Sequence, residues 1–164
     1  MKYNAVVLVL LFFLLFTSCE NSTEKNLKVD FDLKTFNEQK QLWQESGIKN
    51  YQYLFRSSGE IAYRGTVIVE NGNFKGDIPQ NELFTIERFM EYSSINAIYD
   101  HIETVFENYS NTKWDKEKGY VSKIEVEYDK DNHIPVYIHF YTYTQPGLVF
   151  DGVDYSEIQN FCEN

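Results

Sequence analysis

Cysteine and basic residues are scarce in this chain, and each shortage excludes a class of protein. Two cysteines are present, Cys19 and Cys162, so a scaffold held together by several disulfides is excluded. The 15 Lys and Arg residues are outnumbered by 25 Asp and Glu, and the formal net charge is −10. An acidic chain without a basic stripe repels nucleic acid, so we expect no nucleic-acid partner.

The sequence also lacks an apolar run long enough to cross a membrane. Its longest run covers residues 5–16, whereas a transmembrane helix needs about 20 apolar residues. The run follows Lys2 and ends at the small residues Thr17 and Ser18, directly before Cys19. This layout is typical of a secretory signal peptide, and it resembles a bacterial lipoprotein signal, in which the cysteine receives lipid. Ordinary secretion after cleavage of the signal peptide is the alternative.

The lipoprotein interpretation divides the chain into three parts. Residues 1–18 are predicted to be removed as the signal peptide, residues 19–30 to form a flexible tether, and residues 31–164 to form a single domain. Two or more acyl chains on Cys19 would hold the protein stably to a bacterial membrane, on the periplasmic side or at the cell surface. Cys162 then has no intrachain partner, and we expect it to be a small, partly buried residue. An intermolecular disulfide or a free thiol is the alternative.

Two segments have the apolar periodicity of helices. Asp32 or Asp30 can cap a helix that begins near Leu33, and Gly47 is a typical stop. A second segment carries apolar residues at spacings of three, four and seven, which predicts a one-sided helix over residues 95–109. Both helices should therefore bury one face.

Other segments alternate between apolar and polar residues, as half-buried strands do. The dipeptide Asn71-Gly72 predicts a type I′ hairpin turn, because both of its residues tolerate positive φ. Helices stand apart from strands instead of alternating with them, so the predicted class is α+β, with an antiparallel β-sheet and helices packed on one face. The predicted strands cover residues 51–56, 61–69, 73–78, 123–128, 136–141 and 155–161.

Short motifs along the predicted domain share their order and spacing with a known family. They are Trp43, Gly47-Ile48, Tyr51-Gln52-Tyr53, residues 65–72, residues 102–106, Tyr128-Asp129 and Ile134-Pro135. In this respect the chain resembles the DUF6174 family of small bacterial exported proteins and lipoproteins, over about residues 40–161. The family has no established activity, so the resemblance implies the fold and export and supplies no catalytic residues.

No arrangement typical of catalysis is present in the sequence. A nucleophile elbow, a glycine-rich phosphate loop and a serine–histidine–acid spacing are all missing. Residues 129–133 offer oxygen ligands but lack the glycine and distal glutamate of a calcium loop, so we interpret them as a solvated turn. His101 has no second histidine four residues on, and we expect it on an exposed helix face. We therefore predict no catalytic residue, no metal and no cofactor.

The side chains best suited to recognition are aromatic ones on the predicted strand at residues 136–141. Alternation places them opposite the aliphatic face, where a half-exposed aromatic row can bind a protein, peptide or glycan. The row consists of Tyr137, His139 and Tyr141, extended by Tyr143, with Tyr51 and Tyr53 as candidates from another strand.

Two functional hypotheses follow from this row. The first is a non-catalytic binding or structural module, and the second is an enzyme of the envelope with an unrecognised active site. A deep pocket that gathers His139 with carboxylates would favour the enzyme. A shallow, exposed aromatic face would favour binding.

Overall fold

The computed structural model describes residues 28–58, 63–76, 86–110, 119–143 and 154–163. Within these ranges the chain forms three helices and six strands, which confirms the predicted α+β class. The helices are α1 (Leu33–Ser46), α2 (Ile86–Met90) and α3 (Ile95–Ser110). The strands are β1 (Tyr51–Ser58), β2 (Tyr63–Glu70), β3 (Asn73–Lys75), β4 (Tyr120–Tyr128), β5 (Pro135–Tyr143) and β6 (Asp154–Glu163).

The strands form one sheet in the order β3-β2-β1-β6-β5-β4, and neighbouring strands are antiparallel. The last strand in the chain therefore lies near the middle of the sheet, between β1 and β5. The buried side chains of α1 and α3 join those of one sheet face in a single hydrophobic core. Among the described residues, the opposite face carries no helix.

Helix α1 begins and ends where the sequence predicts. The carboxylate of Asp32 accepts a hydrogen bond of 3.0 Å from the backbone N–H of Thr35, which satisfies one free donor of the first turn. Gly47 ends the helix in the left-handed region at φ +67°, which a side chain would disfavour. Phe36 and Trp43 are buried on the inner face. Burying two such aromatic side chains contributes about 1.5–3 kcal/mol each.

Helix α3 packs across the sheet through a continuous apolar stripe. Ser94 caps it, since its hydroxyl accepts a hydrogen bond of 3.0 Å from the N–H of Ala97. A second cap comes from the sheet, because the Tyr51 hydroxyl accepts from the N–H of Ile95 at 3.1 Å. The buried residues of the helix are Ile95, Ile98, Tyr99 and Ile102.

Polar contacts join α1 to α3 above the core. The ammonium of Lys40 lies 2.9 Å from a carboxylate oxygen of Asp100 and 2.9 Å from one of Glu103. Burial alone would lower the pKa of Lys40, but the hydrogen bonds to the two carboxylates outweigh it and raise that pKa. The indole N–H of Trp43 donates to the side-chain oxygen of Asn96 at 2.8 Å. These contacts hold the two helices in one layer.

The predicted hairpin between β2 and β3 is confirmed. Asn71 and Gly72 have φ values of +52° and +80°, as a type I′ turn requires at both central residues. The N–H of Asn71 is also held by the side-chain oxygen of Asn50 at 2.8 Å. The turn is thus anchored to the segment that leads into β1.

The residues before α1 already belong to the domain. Val29 is buried, and Asp30 forms a parallel bridge with Lys123 on the outer edge of β4. Packed structure therefore starts within the last two positions of the predicted tether, residues 19–30. The predicted signal peptide, residues 1–18, and the predicted lipidation site, Cys19, lie outside the described residues. None of the described helices is both long and apolar enough to span a membrane.

Candidate functional site

Strand β5 separates an aliphatic side from an aromatic side. Ile138 and Phe140 face the helices and are 0% and 5% exposed. Tyr137, His139 and Tyr141 alternate with them on the opposite face and are half-buried. The backbone of Tyr143 continues β5, but its side chain lies outside the described part of the structure. Three of the four predicted face residues are therefore placed together in one row.

The three aromatic side chains contact one another along the strand. The rings of His139 and Tyr141 stack with their centroids 3.9 Å apart and an interplanar angle of 23°. Tyr137 meets His139 edge-on, at 6.1 Å and 84°, and its hydroxyl lies 3.3 Å from Nδ1 of His139. Mutual packing of this kind limits the rotamers of each ring, so the row is ordered before any ligand binds.

Two charged residues of β4 support this row from the side. The register places Lys123 opposite Tyr141 and Glu125 opposite His139. The hydroxyl of Tyr141 donates to Oε2 of Glu125 at 2.5 Å, and the Lys123 ammonium donates to Oε1 of the same carboxylate. That ammonium also lies 5.2 Å from the centre of the Tyr141 ring. We call these five side chains, Tyr137, His139, Tyr141, Lys123 and Glu125, the aromatic–carboxylate face.

The hydrogen bonds within this face shift the titration of its members. Donation from Lys123, and then from Tyr141, lowers the pKa of Glu125. Glu125 in turn raises the pKa of Lys123 and the pKa of Tyr141, because it accepts a hydrogen bond from each of them. At neutral pH the face therefore presents a paired carboxylate and ammonium together with a neutral phenol.

The expectation that Tyr51 and Tyr53 join this face is wrong. Both are 1% exposed and point to the helix side of β1. The hydroxyl of Tyr53 donates to the backbone oxygen of Tyr92 at 2.5 Å, while that of Tyr51 caps α3. Each buried hydroxyl thus has a partner, which allows these rings to belong to the core.

Two other expectations from the sequence are corrected by the structure. Cys162, expected to be partly buried, is exposed on β6. His101, expected on an exposed helix face, has a side chain only 16% exposed, with its Nδ1 3.4 Å from a carboxylate oxygen of Glu91. Its ring packs between Tyr92 and Phe140, with centroid distances of 5.3 and 5.5 Å. These aromatic contacts account for the burial of this histidine.

In the turn at residues 129–133, the carboxylate of Asp129 forms hydrogen bonds with the backbone of the same turn. Oδ1 of Asp129 accepts hydrogen bonds from the backbone N–H groups of Asp131 and Asn132, at 3.0 and 2.7 Å. His133 docks on α1 through Gln39, with Nδ1 3.0 Å from the amide oxygen. In the described part of the chain, no group of three or more His, Cys, Asp or Glu residues is placed to hold a metal ion.

An open groove lies beside the aromatic–carboxylate face, at the outer edge of β4. It has a volume of about 400 Å³ and is lined by Asp30, Phe31, Asp32 and the β4 residues 123–127. The sequence does not reveal this groove, because the pattern around Asp30 indicates only a helix cap. No local pattern could have shown that residue 30 pairs with residue 123, since the contact joins segments far apart in the chain.

The family comparison covers α1 to the turn after β4. The model of DUF6174, a family of unknown function, matches residues 35–133. The chain belongs to the DUF6174 family. The region matched to DUF6174 includes Lys123 and Glu125 of the aromatic–carboxylate face and ends before β5, which carries the three aromatic residues. No match was found among curated proteins or among solved structures.

Proposed function

We propose that this protein is a bacterial envelope lipoprotein, anchored through Cys19, that acts as a non-catalytic binding module. Its binding surface is the aromatic–carboxylate face. One observation carries the proposal: Tyr137, His139 and Tyr141 form an ordered, half-exposed row on the sheet face that bears no described helix. Aromatic side chains held rigidly at a surface bind with a small loss of conformational entropy.

The shape of the surface supports binding over the enzyme alternative. Glu125 lies opposite His139 on the sheet face that carries no described helix, and the lining of the groove beside Glu125 does not include His139. The hydroxyl of Tyr141 and the ammonium of Lys123 are both bonded to Glu125, so the carboxylate is engaged by its neighbours. A general base needs a carboxylate or imidazole that is available to accept a proton within hydrogen-bond reach of the substrate.

The orientation of the rings supports a protein or peptide partner over a glycan. His139 and Tyr141 stack on each other, so each covers one face of the other ring. A sugar stacks its C–H groups on an open ring face, whereas a peptide also uses ring edges and hydroxyl groups. Tyrosine and paired charges are typical components of protein recognition surfaces.

The test compares partner capture by the full-length protein in detergent before and after Tyr141→Ala. We expect the substitution to weaken binding of the recovered partner at least tenfold, because it removes the ring that stacks on His139 and the hydrogen bond to Glu125. The melting temperature should change by only a few degrees, since the side chain is on the outer face. Leu42→Ala, at an exposed position of α1, is the matched control and should leave capture unchanged.

The opposite result has a clear meaning. If Tyr141→Ala destabilises the fold by about 3–5 kcal/mol, as loss of a large buried aromatic does, the ring belongs to a core and the proposal fails. If the fold and partner capture both survive the substitution, the face is not the binding surface.

A further inference from the structure

Among the described residues, the outer edge of β4 is paired at one position, by Asp30. The N–H of Asp30 donates to the carbonyl of Ser122 at 2.8 Å, and the N–H of Ile124 donates to the carbonyl of Asp30 at 3.0 Å. These bonds show that the backbone groups of Ser122 and Ile124 point away from β5. The direction of backbone groups alternates along a strand, so those of Val126 point the same way.

The backbone of Val126 has no main-chain partner on that side in the described part of the structure. Asp30 is the one described residue before α1 that bridges to β4, and α1 begins three residues later, at Leu33. The carbonyl of Ile124 and both backbone groups of Val126 are thus left at the open groove. An added strand can pair with these three groups, which are the carbonyl of Ile124 and the N–H and carbonyl of Val126.

The groove carries an excess of negative charge. Its lining contains four carboxylates, on Asp30, Asp32, Glu125 and Glu127, and one ammonium, on Lys123. Lys123 is already paired with Glu125, so it does not offset the other three. A basic segment is therefore the electrostatically matched occupant.

A second copy of this chain is a poor occupant of the same edge. If two β4 strands paired antiparallel about Val126, Glu125 of each copy would lie opposite Glu127 of the other. Like charges directly opposite each other destabilise a strand pair. The same carboxylates that repel a copy attract a segment rich in Lys or Arg.

We propose that the open edge of β4 binds an extended, basic segment of a partner protein by strand addition. This inference rests on the proposed binding function and specifies the partner class and the mode of binding. Backbone hydrogen bonds to Ile124 and Val126 hold the segment in register. Alternate side chains of the segment then lie beside Glu125 and Glu127, on the sheet face that carries the aromatic–carboxylate face.

The probe is a synthetic heptapeptide of alternating lysine and valine, titrated calorimetrically into the full-length protein in detergent. We expect it to bind, and a glutamate–valine heptapeptide not to bind. Val126→Pro removes the outward N–H and leaves the β5 side of the strand intact, as edge prolines do. It should weaken binding at least tenfold. Val126→Ala, which keeps that N–H, should weaken it much less.

A second measurement does not depend on how the proline variant folds. Two versions of the lysine–valine peptide carry N-methyl groups on one or the other alternate set of residues, and both are titrated into the unmodified protein. Strand addition needs the N–H groups of one set only, so one version should lose at least tenfold in affinity and the other should bind as before.

Several outcomes would overturn the inference. Absence of binding by the lysine–valine peptide would do so, as would equal binding of the glutamate–valine peptide. Full binding by both N-methylated versions would show that charge attraction alone holds the peptide. If these peptides fail while Tyr141→Ala still abolishes partner capture, the strand-addition mode is wrong and the proposed binding face stands.

Discussion

At the scale of single residues, Glu125 links β4 to the aromatic row of β5. It accepts hydrogen bonds from Lys123 and from Tyr141, and both stabilise its charged form. Alternation along β4 could have placed Glu125 on the outer face. It could not have shown the contact with Tyr141, because the register between β4 and β5 includes an irregularity between Val121 and Lys123.

Titration of Glu125 tests this network. Its pKa should lie below the ordinary value of a glutamate, because Lys123 and Tyr141 donate to the carboxylate. Its contribution to stability should therefore be present at neutral pH and be lost as the pH falls through that lowered pKa. Tyr141→Phe keeps the ring and removes one donor, so the pKa of Glu125 should rise towards its ordinary value. NMR titration of the carboxyl carbon measures both values.

The matched control for this titration is Tyr137→Phe, which removes a hydroxyl of the same row that bonds to His139 instead of Glu125. An unchanged Glu125 titration in Tyr141→Phe, or an equal change in the control, would show that the hydrogen bond to Tyr141 does not govern the carboxylate.

The tyrosines of β5 and β1 show that the buried or exposed side of a tyrosine cannot always be predicted from its own strand. The side of β5 that carries Tyr137 and Tyr141 was predicted correctly, because aliphatic residues mark the other side as core. On β1 the prediction that tyrosines face outwards is wrong. Tyr51 and Tyr53 are buried, and Gln52 and Leu54 face outwards. A buried tyrosine needs a hydroxyl partner, and here the partners come from residues about 40 positions later in the sequence. No local pattern contains that information.

At the scale of elements, α1 and α3 are the most predictable part of the fold, whereas α2 has no counterpart in the predicted helices. Their caps and apolar stripes are local features, so α1 and α3 start and end within a residue of the predicted positions. Strand pairing was less predictable, since the place of β6 between β1 and β5 depends on contacts across the whole chain. A bulge near Asn160, whose φ is +53°, further shifts the register of β6 against β1.

The burial of α3 against the sheet gives an element-scale prediction. Ile102 is fully buried in the core, so Ile102→Asp should destabilise the protein by about 3–5 kcal/mol, because it places an unpaired charge in an apolar site. Thermal or chemical unfolding followed by circular dichroism measures the loss. Thr104→Asp, at an exposed position of the same helix, should change stability by no more than about 0.5 kcal/mol. Similar melting temperatures for the two variants would contradict the packing described for α3.

At the scale of the whole molecule, the proposed anchor decides where the binding face can act. Val29 and Asp30 dock on β4, so a tether from Cys19 would reach the domain at the same sheet edge that carries the open groove. The mature N-terminus is expected to be Cys19 with two or three acyl chains, and mass spectrometry of the purified protein measures this directly. Cys19→Ala should leave the protein unlipidated. An unmodified N-terminus at any other residue would rule out the lipoprotein proposal.

The position of β6 has a consequence for how the protein is made. This strand joins β3-β2-β1 to β5-β4, yet it is the last of the six to be synthesised. Until β6 emerges from the ribosome, the other five described strands can form at most two separate half-sheets. Their edges at β1 and β5 would be unpaired, and such edges are typical sites of aggregation. Completion of the sheet must then bring together segments about 100 residues apart, and such non-local closure is slow. A chaperone that holds the chain unfolded until synthesis ends would therefore help this protein. It would help less a protein whose strands are ordered in the sheet as they are in the sequence.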